Sequence, residues 1–224
     1  DFLRRSLIST GAFKDLDKPV IFTSGELGIY YNNTEKLCED NGKFKDYGND
    51  SLAMINHCVA MMNESTIFDK VIKLLAEKVK QILSKKPQPW AISGGQRRDW
   101  VFSGPVARIL GLPHISLYKQ TGEKDKIEVV MPDGSYGDLV EGTNSVHIVD
   151  LVTLASSVIR LEDSVEKGWV PMLRNKGINV ENVIAVTDRM QKDDRLDKIG
   201  VNLHTLVEID EEFLKMYSKF PTRA

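Results

Sequence analysis

The part of the sequence that follows Pro89 alternates between short apolar segments and helical patterns, and no other feature constrains the fold as strongly. The predicted strands cover residues 90–92, 113–118, 127–131, 146–149, 182–187 and 203–207. Helical patterns cover residues 101–110, 156–165 and 211–217, and Gly and Pro residues mark a break at 168–171. Strands that alternate with helices indicate an α/β fold with a mostly parallel central sheet and helices on both faces.

Residues 1–89 have a different pattern, which predicts a helical amino-terminal appendage. Residues 1–20 fit a short amphipathic helix and a turn into Pro19, and the polar stretch 32–50 fits a loop. Two amphipathic helices are expected after it. Side chains that can cap them are present at Asp50, Ser51 and Ser65. The chain is therefore predicted to be a single domain, residues 1–224, in which this appendage precedes an α/β core at 90–224.

The balance of charges and the apolar pattern exclude several classes of protein. The 30 Lys and Arg residues and 32 Asp and Glu residues give a net charge of −2, whereas nucleic-acid binding is typical of chains with a basic excess. No apolar run approaches the roughly 18 residues of a membrane span, and we expect no signal peptide. Cys38 and Cys58 lack the spacing of metal ligands, which predicts reduced thiols and a cytoplasmic location.

In such sheets ligands bind beyond the carboxyl ends of the strands, so the loops that follow strands are the candidate binding segments. Three of these loops contain informative residues. In the first loop, Asp150 ends an apolar strand, and small or hydroxylated side chains then open a helix. Those side chains belong to Thr153, Ala155, Ser156 and Ser157. Main-chain N–H groups at such a turn can bind a phosphate, while a carboxylate can hold ribose hydroxyls. A strand-to-helix turn with hydroxyl caps is the simpler alternative.

The second loop combines a permissive backbone with positive charge. It contains Ser93, Gly94, Gly95, Gln96, Arg97 and Arg98. Glycines allow a ligand to approach the backbone closely, and arginine forks suit phosphate oxygens. An arginine pair on a solvated turn is the alternative. In the third loop, Arg189 follows an apolar strand, where it could bind a carbonyl-bearing or carboxylated ring or form a salt bridge with a neighbour.

Five segments in this order resemble the type I phosphoribosyltransferases, and the orotate phosphoribosyltransferases among them in particular. The sequences are FTSG with IYYN, SGGQRR with FSGPVA, LPHISLYK, VHIVDLVTLASS, and DR with GVNLHTL. They occupy residues 22–32, 93–107, 112–119, 146–157 and 188–206. The resemblance covers roughly residues 5–215, with an enlarged segment around 33–65.

The resemblance implies a Mg²⁺-dependent transfer of the phosphoribosyl group from phosphoribosyl pyrophosphate to a pyrimidine-type base, with orotate as the first candidate and pyrophosphate as the leaving group. Residues 153–157 would then bind the 5′-phosphate and Asp150 the ribose hydroxyls. Residues 93–98 and Lys119 would bind pyrophosphate. The base would be bound by Tyr31 and Arg189. It also implies a homodimer in which loop residues of one subunit complete the site of the partner.

Several residues depart from the pattern of that family. Val149 stands where the first carboxylate of an acidic pair is expected, and Ala155 replaces a glycine. Two basic residues of the family pattern are absent, and Lys124 or Lys126 could supply the catalytic cations instead. Asp99 replaces another glycine and would repel pyrophosphate unless an arginine neutralises its charge.

These departures leave several hypotheses open. The chain is an active but divergent transferase, or it is a catalytically lapsed relative that binds phosphoribosyl pyrophosphate or a nucleotide as a sensor. A transferase for a purine or a modified base is a third possibility. Trp100 could line a base pocket, although packing in the core is the simpler interpretation.

Overall fold

The computed structural model describes residues 2–21, 27–38, 47–119, 126–153, 157–162, 165–190 and 194–219. Its helices are α1 (Phe2–Ser9), α2 (Ser51–Glu64), α3 (Thr66–Leu83), α4 (Trp100–Leu110), α5 (Trp169–Arg174), α6 (Arg195–Lys198) and α7 (Glu211–Tyr217), and a 3-10 turn covers Thr34–Leu37. Its strands are β1 (Phe13–Ile21), β2 (Leu27–Asn32), β3 (Trp90–Gly95), β4 (His114–Leu117), β5 (Ile127–Val130), β6 (Tyr136–Gly137), β7 (Asn144–Val152), β8 (Arg160–Glu162), β9 (Val165–Lys167), β10 (Asn179–Asp188) and β11 (Asn202–Glu208). None of the described helices is long and apolar enough to cross a membrane.

A seven-stranded sheet forms the centre of the fold, in the order β11-β10-β7-β3-β4-β5-β6. The first five strands run parallel, and β5 and β6 are antiparallel to their neighbours. Apolar side chains cover both faces of the sheet, with α2, α3, α4 and α7 on one face and α5 and α6 on the other. The predicted α/β fold with a mostly parallel sheet is therefore confirmed.

Helices α2 and α3 begin where the sequence predicted. The Asp50 carboxylate accepts a hydrogen bond from the Ala53 N–H at 2.9 Å, and the Ser65 hydroxyl accepts one from the Phe68 N–H at 3.2 Å. Both bonds satisfy N–H groups that the first helical turn leaves unpaired. The cap at Asp50 also fixes the start of α2, where the preceding Asn49 reaches the loop that follows β3.

The amino-terminal part contains a β-hairpin in addition to its helices. β1 and β2 pair in the antiparallel direction, so the predicted turn into Pro19 is wrong and the proline lies within a strand. The pairing register shifts between Asp15 and Val20. Pro19 has no N–H to donate, and it is tolerated because it lies where the regular ladder is interrupted.

The largest difference between prediction and structure lies at 156–165, where a helix was expected. The chain instead forms the β8–β9 hairpin, and α5 begins only after Gly168. Gly168 has φ 119°, and a Cβ there would lie 2.6 Å from the Val158 carbonyl oxygen, so this position requires glycine. Pro171 falls in the first turn of α5, where its missing N–H breaks no helical hydrogen bond. The Gly and Pro residues predicted to mark a break thus mark a helix start.

Candidate active site

A cleft opens at the carboxyl ends of β3 and β7. These strands pair with each other as far as Ser93 and His147, and beyond this point β3 continues beside β4 and β7 beside β10. The cleft has a volume of about 660 Å³. Among the described residues it is lined by Tyr31, Glu35, Asn49, Gln96, Arg97, Arg98, Asp99, Tyr118, Lys119, Lys126, Asp150, Ser157 and Trp169. Both cations and carboxylates therefore line one concave surface at the sheet edge where ligands are expected.

Many of the residues predicted from the sequence meet in this cleft. The structure brings together Tyr31, Gln96, Arg97, Arg98, Lys119, Lys126, Asp150 and Ser157. They come from separate segments, namely the end of β2, the loop after β3, the ends of β4 and β7, and the start of β5. For the residues at the ends of β3, β4 and β7, this convergence follows from the parallel order of these strands, which puts their carboxyl ends side by side.

Asp150 is the acidic group of the β7 wall. Its residue is 8% exposed, and its Oδ2 atom accepts a hydrogen bond from the Thr34 hydroxyl at 3.1 Å. The Nε atom of Arg98 lies 3.6 Å from the same oxygen. Asp150, and to a smaller degree Glu35, raises the pKa of Arg98, against the opposing effect of burial. Asp150 is therefore engaged with a cation and a hydroxyl before any ligand is bound.

Gln96 connects the loop after β3 to both of its neighbours. Its side-chain oxygen accepts a hydrogen bond from the Lys119 N–H at 2.8 Å, and its amide nitrogen donates to the Asn49 side chain. The peptide bond between Gln96 and Arg97 is cis. These bonds hold the backbone of the loop, while Arg97 and Arg98 remain on the lining of the cleft.

Asp99 lines the cleft, and both of its carboxyl oxygens bind main-chain donors. Its Oδ2 accepts from the Gly95 N–H at 3.0 Å and its Oδ1 from the Asp150 N–H at 2.9 Å. Burial, followed by the nearby Asp150, raises the pKa of Asp99 well above its usual range. The expected repulsion between Asp99 and pyrophosphate is weakened, because both oxygens are occupied and the charged form is disfavoured.

Lys126 is held on the opposite wall by a small polar cluster. Its Nζ lies 2.9 Å from Oε1 of Glu128 and 4.1 Å from the centre of the Tyr118 ring. Tyr118 donates its hydroxyl to Glu128, and Ser51 donates to the same carboxylate at 3.2 Å. Partial burial pushes the pKa of Glu128 upward, but hydrogen bonds from Tyr118 and Lys126 outweigh it, so this pKa lies below its ordinary value.

Five predicted site residues, Gly95 among them, lie in the described part of the chain but away from the lining of the cleft. Ser93 is fully buried, where its hydroxyl contacts His147 Nδ1 at 3.0 Å. Arg189 is 8% exposed, and its Nε donates to the Tyr30 hydroxyl at 3.2 Å. Gly94 is buried within β3, and Thr153 lies just beyond the end of β7. Neither Ser93 nor Arg189 therefore belongs to the described lining of the cleft.

Gly95 and its neighbours form the floor beneath the cleft. A Cβ on Gly95 would lie 2.3 Å from the indole of Trp169, so glycine is needed here to let the two segments pack. Trp100 is fully buried and donates its indole N–H to the Gly94 carbonyl at 3.0 Å. The interpretation of Trp100 as a core residue is confirmed.

The predicted phosphate loop lies only partly within the described residues. Ala155 and Ser156 lie outside the described residues, as does Lys124, whereas Ser157 reaches the cleft. Among the described residues that follow Ser156, 157–162 form a turn and strand β8, and the next helix is α5. The N–H groups of Trp169 and Val170, which open α5, donate to the carbonyls of residues 157 and 158, each at 3.1 Å. The first N–H groups of α5 are therefore bonded within the chain, and the phosphate cradle expected at 153–157 stays a prediction because residues 154–156 are not described.

Several lining residues escaped the sequence analysis. Glu35 and Asn49 lie in the polar stretch that was interpreted as a loop, and Trp169 lies in the apparent break at 168–171. None of them carries a local motif, because each reaches the cleft through tertiary packing. Val149, in contrast, belongs to the apolar cluster on the α5 face, away from Asp150. A carboxylate at Val149 would be buried among apolar side chains and would not complete an acidic pair with Asp150.

This architecture, with its cleft at the carboxyl edge of the sheet, defines the type I phosphoribosyltransferase fold. Among solved structures, the orotate phosphoribosyltransferase of Aeropyrum pernix is similar over 96% of this chain and 97% of its own, with a TM-score of 0.65 and 18% identity. The UMP synthase of Leishmania donovani matches 97% of this chain and 38% of its own, with a TM-score of 0.61 and 17% identity.

An adenine phosphoribosyltransferase from Thermoanaerobacter pseudethanolicus is also similar, with a TM-score of 0.50 and 16% identity over 86% of this chain and 95% of its own. No protein-family model matches the sequence, and a search of curated proteins gives no match. The shared fold thus includes enzymes for both pyrimidine and purine bases. Sequence identities this low establish the fold and not the base.

Proposed function

We propose that this protein transfers the phosphoribosyl group from phosphoribosyl pyrophosphate to a free nucleobase and releases pyrophosphate. The observation that carries the proposal is the meeting of Arg97, Arg98 and Lys119 with Asp150 in one cleft at the carboxyl edge of the sheet. A bound pyrophosphate needs several converging cations, and a ribose needs a carboxylate beside them.

Different residues of the cleft would bind different parts of the substrate. Arg97, Arg98 and Lys119 would bind the pyrophosphate, and Asp150 would accept hydrogen bonds from the ribose hydroxyls. Ser157, with Thr153 and the residues between them, would bind the 5′-phosphate through hydroxyl and main-chain donors. Bond breaking at the anomeric carbon builds positive charge on the ribose and negative charge on the leaving pyrophosphate. Fixed cations that stabilise the leaving group therefore lower the barrier.

Mg²⁺ is proposed to enter together with the phosphoribosyl pyrophosphate. The described residues contain no group of three or more His, Cys, Asp or Glu side chains suited to holding a metal ion by themselves. Mg²⁺ commonly keeps several waters and binds through substrate phosphates with few protein carboxylates, and a cleft of this composition fits that mode. When bound, the ion would supply charge neutralisation of the pyrophosphate.

A pyrimidine-type base, with orotate first, is the proposed acceptor. Tyr31 is 45% exposed and presents an aromatic ring to the cleft, which suits stacking on a planar base. Arg189 would act indirectly by fixing Tyr30, the neighbour of Tyr31, because its guanidinium lies 4.7 Å from the Tyr30 ring centre. A cytoplasmic homodimer is proposed as the working form.

A sensor that binds phosphoribosyl pyrophosphate without turnover is the second candidate. It is favoured by the contacts of Asp150 with Thr34 and Arg98, which a ribose would have to displace. Pyrophosphate release from phosphoribosyl pyrophosphate and Mg²⁺, measured with orotate, uracil, cytosine, adenine and guanine in parallel, separates the two. Pyrophosphate release that depends on one of the bases supports the transferase. Binding of phosphoribosyl pyrophosphate with no release in the presence of any of the five bases supports the sensor.

A further inference from the structure

Strands β3 and β7 stop pairing before the cleft begins, yet one side chain continues the connection between them. The ladder ends at Ser93 and His147. Further along, the Asp99 carboxyl group accepts one hydrogen bond from the Gly95 N–H, at the end of β3, and one from the Asp150 N–H of β7. It therefore replaces the direct strand-to-strand bonds at the level where the two strands separate.

Asp99 is itself held firmly from behind. It is the residue before the first turn of α4, and its carbonyl accepts hydrogen bonds from the Ser103 N–H and the Ser103 hydroxyl, each at 2.9 Å. Its residue is 7% exposed. A carboxyl group fixed by a helix and buried between two main-chain donors has little freedom to turn toward solvent.

We infer that Asp99 is a positioning residue that holds the arginine-bearing loop after β3 against Asp150 and so sets the distance between the basic and acidic walls of the cleft. The role of Asp99 in holding the loop does not depend on the proposed function, whereas its effect on pyrophosphate binding does. The two N–H bonds favour the charged form of Asp99, but burial and then the nearby Asp150 outweigh them and raise its pKa.

The geometric part is tested by amide hydrogen exchange at Gly95 and Asp150 in the full chain without ligand. Asp99→Asn keeps one acceptor oxygen but replaces the other with a donor, so at least one of the two amides should exchange about tenfold faster or more. Val106→Ala, which shortens a buried side chain of the same helix, is the matched control and should leave the relative protection of both amides unchanged. Unchanged protection in Asp99→Asn would overturn the inference.

The consequence is tested by calorimetric titration of inorganic pyrophosphate. We expect affinity to fall about 10-fold to 100-fold in Asp99→Asn and to be retained in Val106→Ala, because small displacements of binding groups have effects of this size. Equal affinity in wild type and Asp99→Asn would overturn the inference alone. Failure of the wild type to bind pyrophosphate would overturn the proposed function, and the exchange data would still decide the role of Asp99. Should Asp99→Asn fail to fold, Asp99→Ser, which removes the carboxyl group but keeps a small polar side chain, is measured in the same way.

Discussion

The Nε atom of Arg98 lies 3.6 Å from the Oδ2 atom of Asp150, so the loop after β3 and the end of β7 are joined by an ion pair inside the cleft. The Arg98 side chain is 47% exposed, and ion pairs in such surroundings contribute about 1 kcal/mol or less to stability. Its significance is therefore functional. A pyrophosphate would compete for Arg98 while ribose hydroxyls would compete for Asp150, so a ligand carrying both groups can replace the pair at once.

Removing the cation tests the first half of this relationship. Arg98→Ala is expected to weaken pyrophosphate binding by about tenfold or more, since hydrogen bonds to charged groups contribute about 1.5–3 kcal/mol. The free energy of unfolding should change by less than about 1 kcal/mol. Arg108→Ala is the control and should bind pyrophosphate like the wild type, because this half-buried arginine on α4 contacts Asn56 and does not line the cleft. Calorimetry gives the affinities, and an equal loss in both variants would show a nonspecific charge effect.

Removing the Asp150 carboxylate should affect the affinities for pyrophosphate and for phosphoribosyl pyrophosphate differently. Asp150→Asn frees Arg98 from its partner, so inorganic pyrophosphate should bind as well as before or more tightly. Phosphoribosyl pyrophosphate should bind less tightly, because the acceptor for its ribose hydroxyls is weakened. Parallel titrations of the two ligands measure the contrast. A parallel fall in both affinities would show that Asp150 supports the pyrophosphate subsite rather than the ribose.

Introducing a carboxylate at residue 149 should not improve the site. Val149 is 1% exposed in the apolar cluster beneath α5, so Val149→Asp is expected to lower the free energy of unfolding by about 3 kcal/mol or more. Val149→Ala should cost about 1–2 kcal/mol, the effect of lost apolar contact without a buried charge. Urea unfolding measures both variants. A Val149→Asp protein with wild-type stability and faster turnover would mean that this side chain faces the cleft.

The two fully buried histidines should make stability depend on pH. Burial lowers the pKa of His147 to about 3, and burial together with His147 lowers the pKa of His114 to about 3. Their unfolded forms bind protons below about pH 6.5, so stability is complete above that pH and declines as the pH falls toward 3, by about 1.4 kcal/mol per pH unit for each histidine.

Urea unfolding between about pH 7.5 and 5.5 measures this decline. His147→Gln, which retains an acceptor for the Ser93 hydroxyl, should show a distinctly smaller pH dependence. Val106→Ala should be less stable at every pH but should keep the wild-type slope. A slope that is the same in the wild type and His147→Gln would contradict the assignment of a buried neutral imidazole.

The sequence predicted the sheet and the outline of the cleft because these depend on local signals. Apolar runs marked β3, β7 and β10, and Asp50 and Ser65 marked the starts of α2 and α3. The β8–β9 hairpin was missed because its residues fit a helical period as well as a strand period. Ser93 and Arg189 were predicted to be ligand-binding residues, and their contacts with His147 and Tyr30 could not be predicted because they depend on the tertiary packing of distant segments.

Calorimetric titration of phosphoribosyl pyrophosphate in the presence of Mg²⁺ tests the central claim most directly, with Arg98→Ala as the paired variant. The account predicts a dissociation constant in the micromolar range for the wild type, clear weakening in the variant, and additional heat of turnover when the accepted base is added. No detectable binding to the wild type, or equal binding to both proteins, would contradict it.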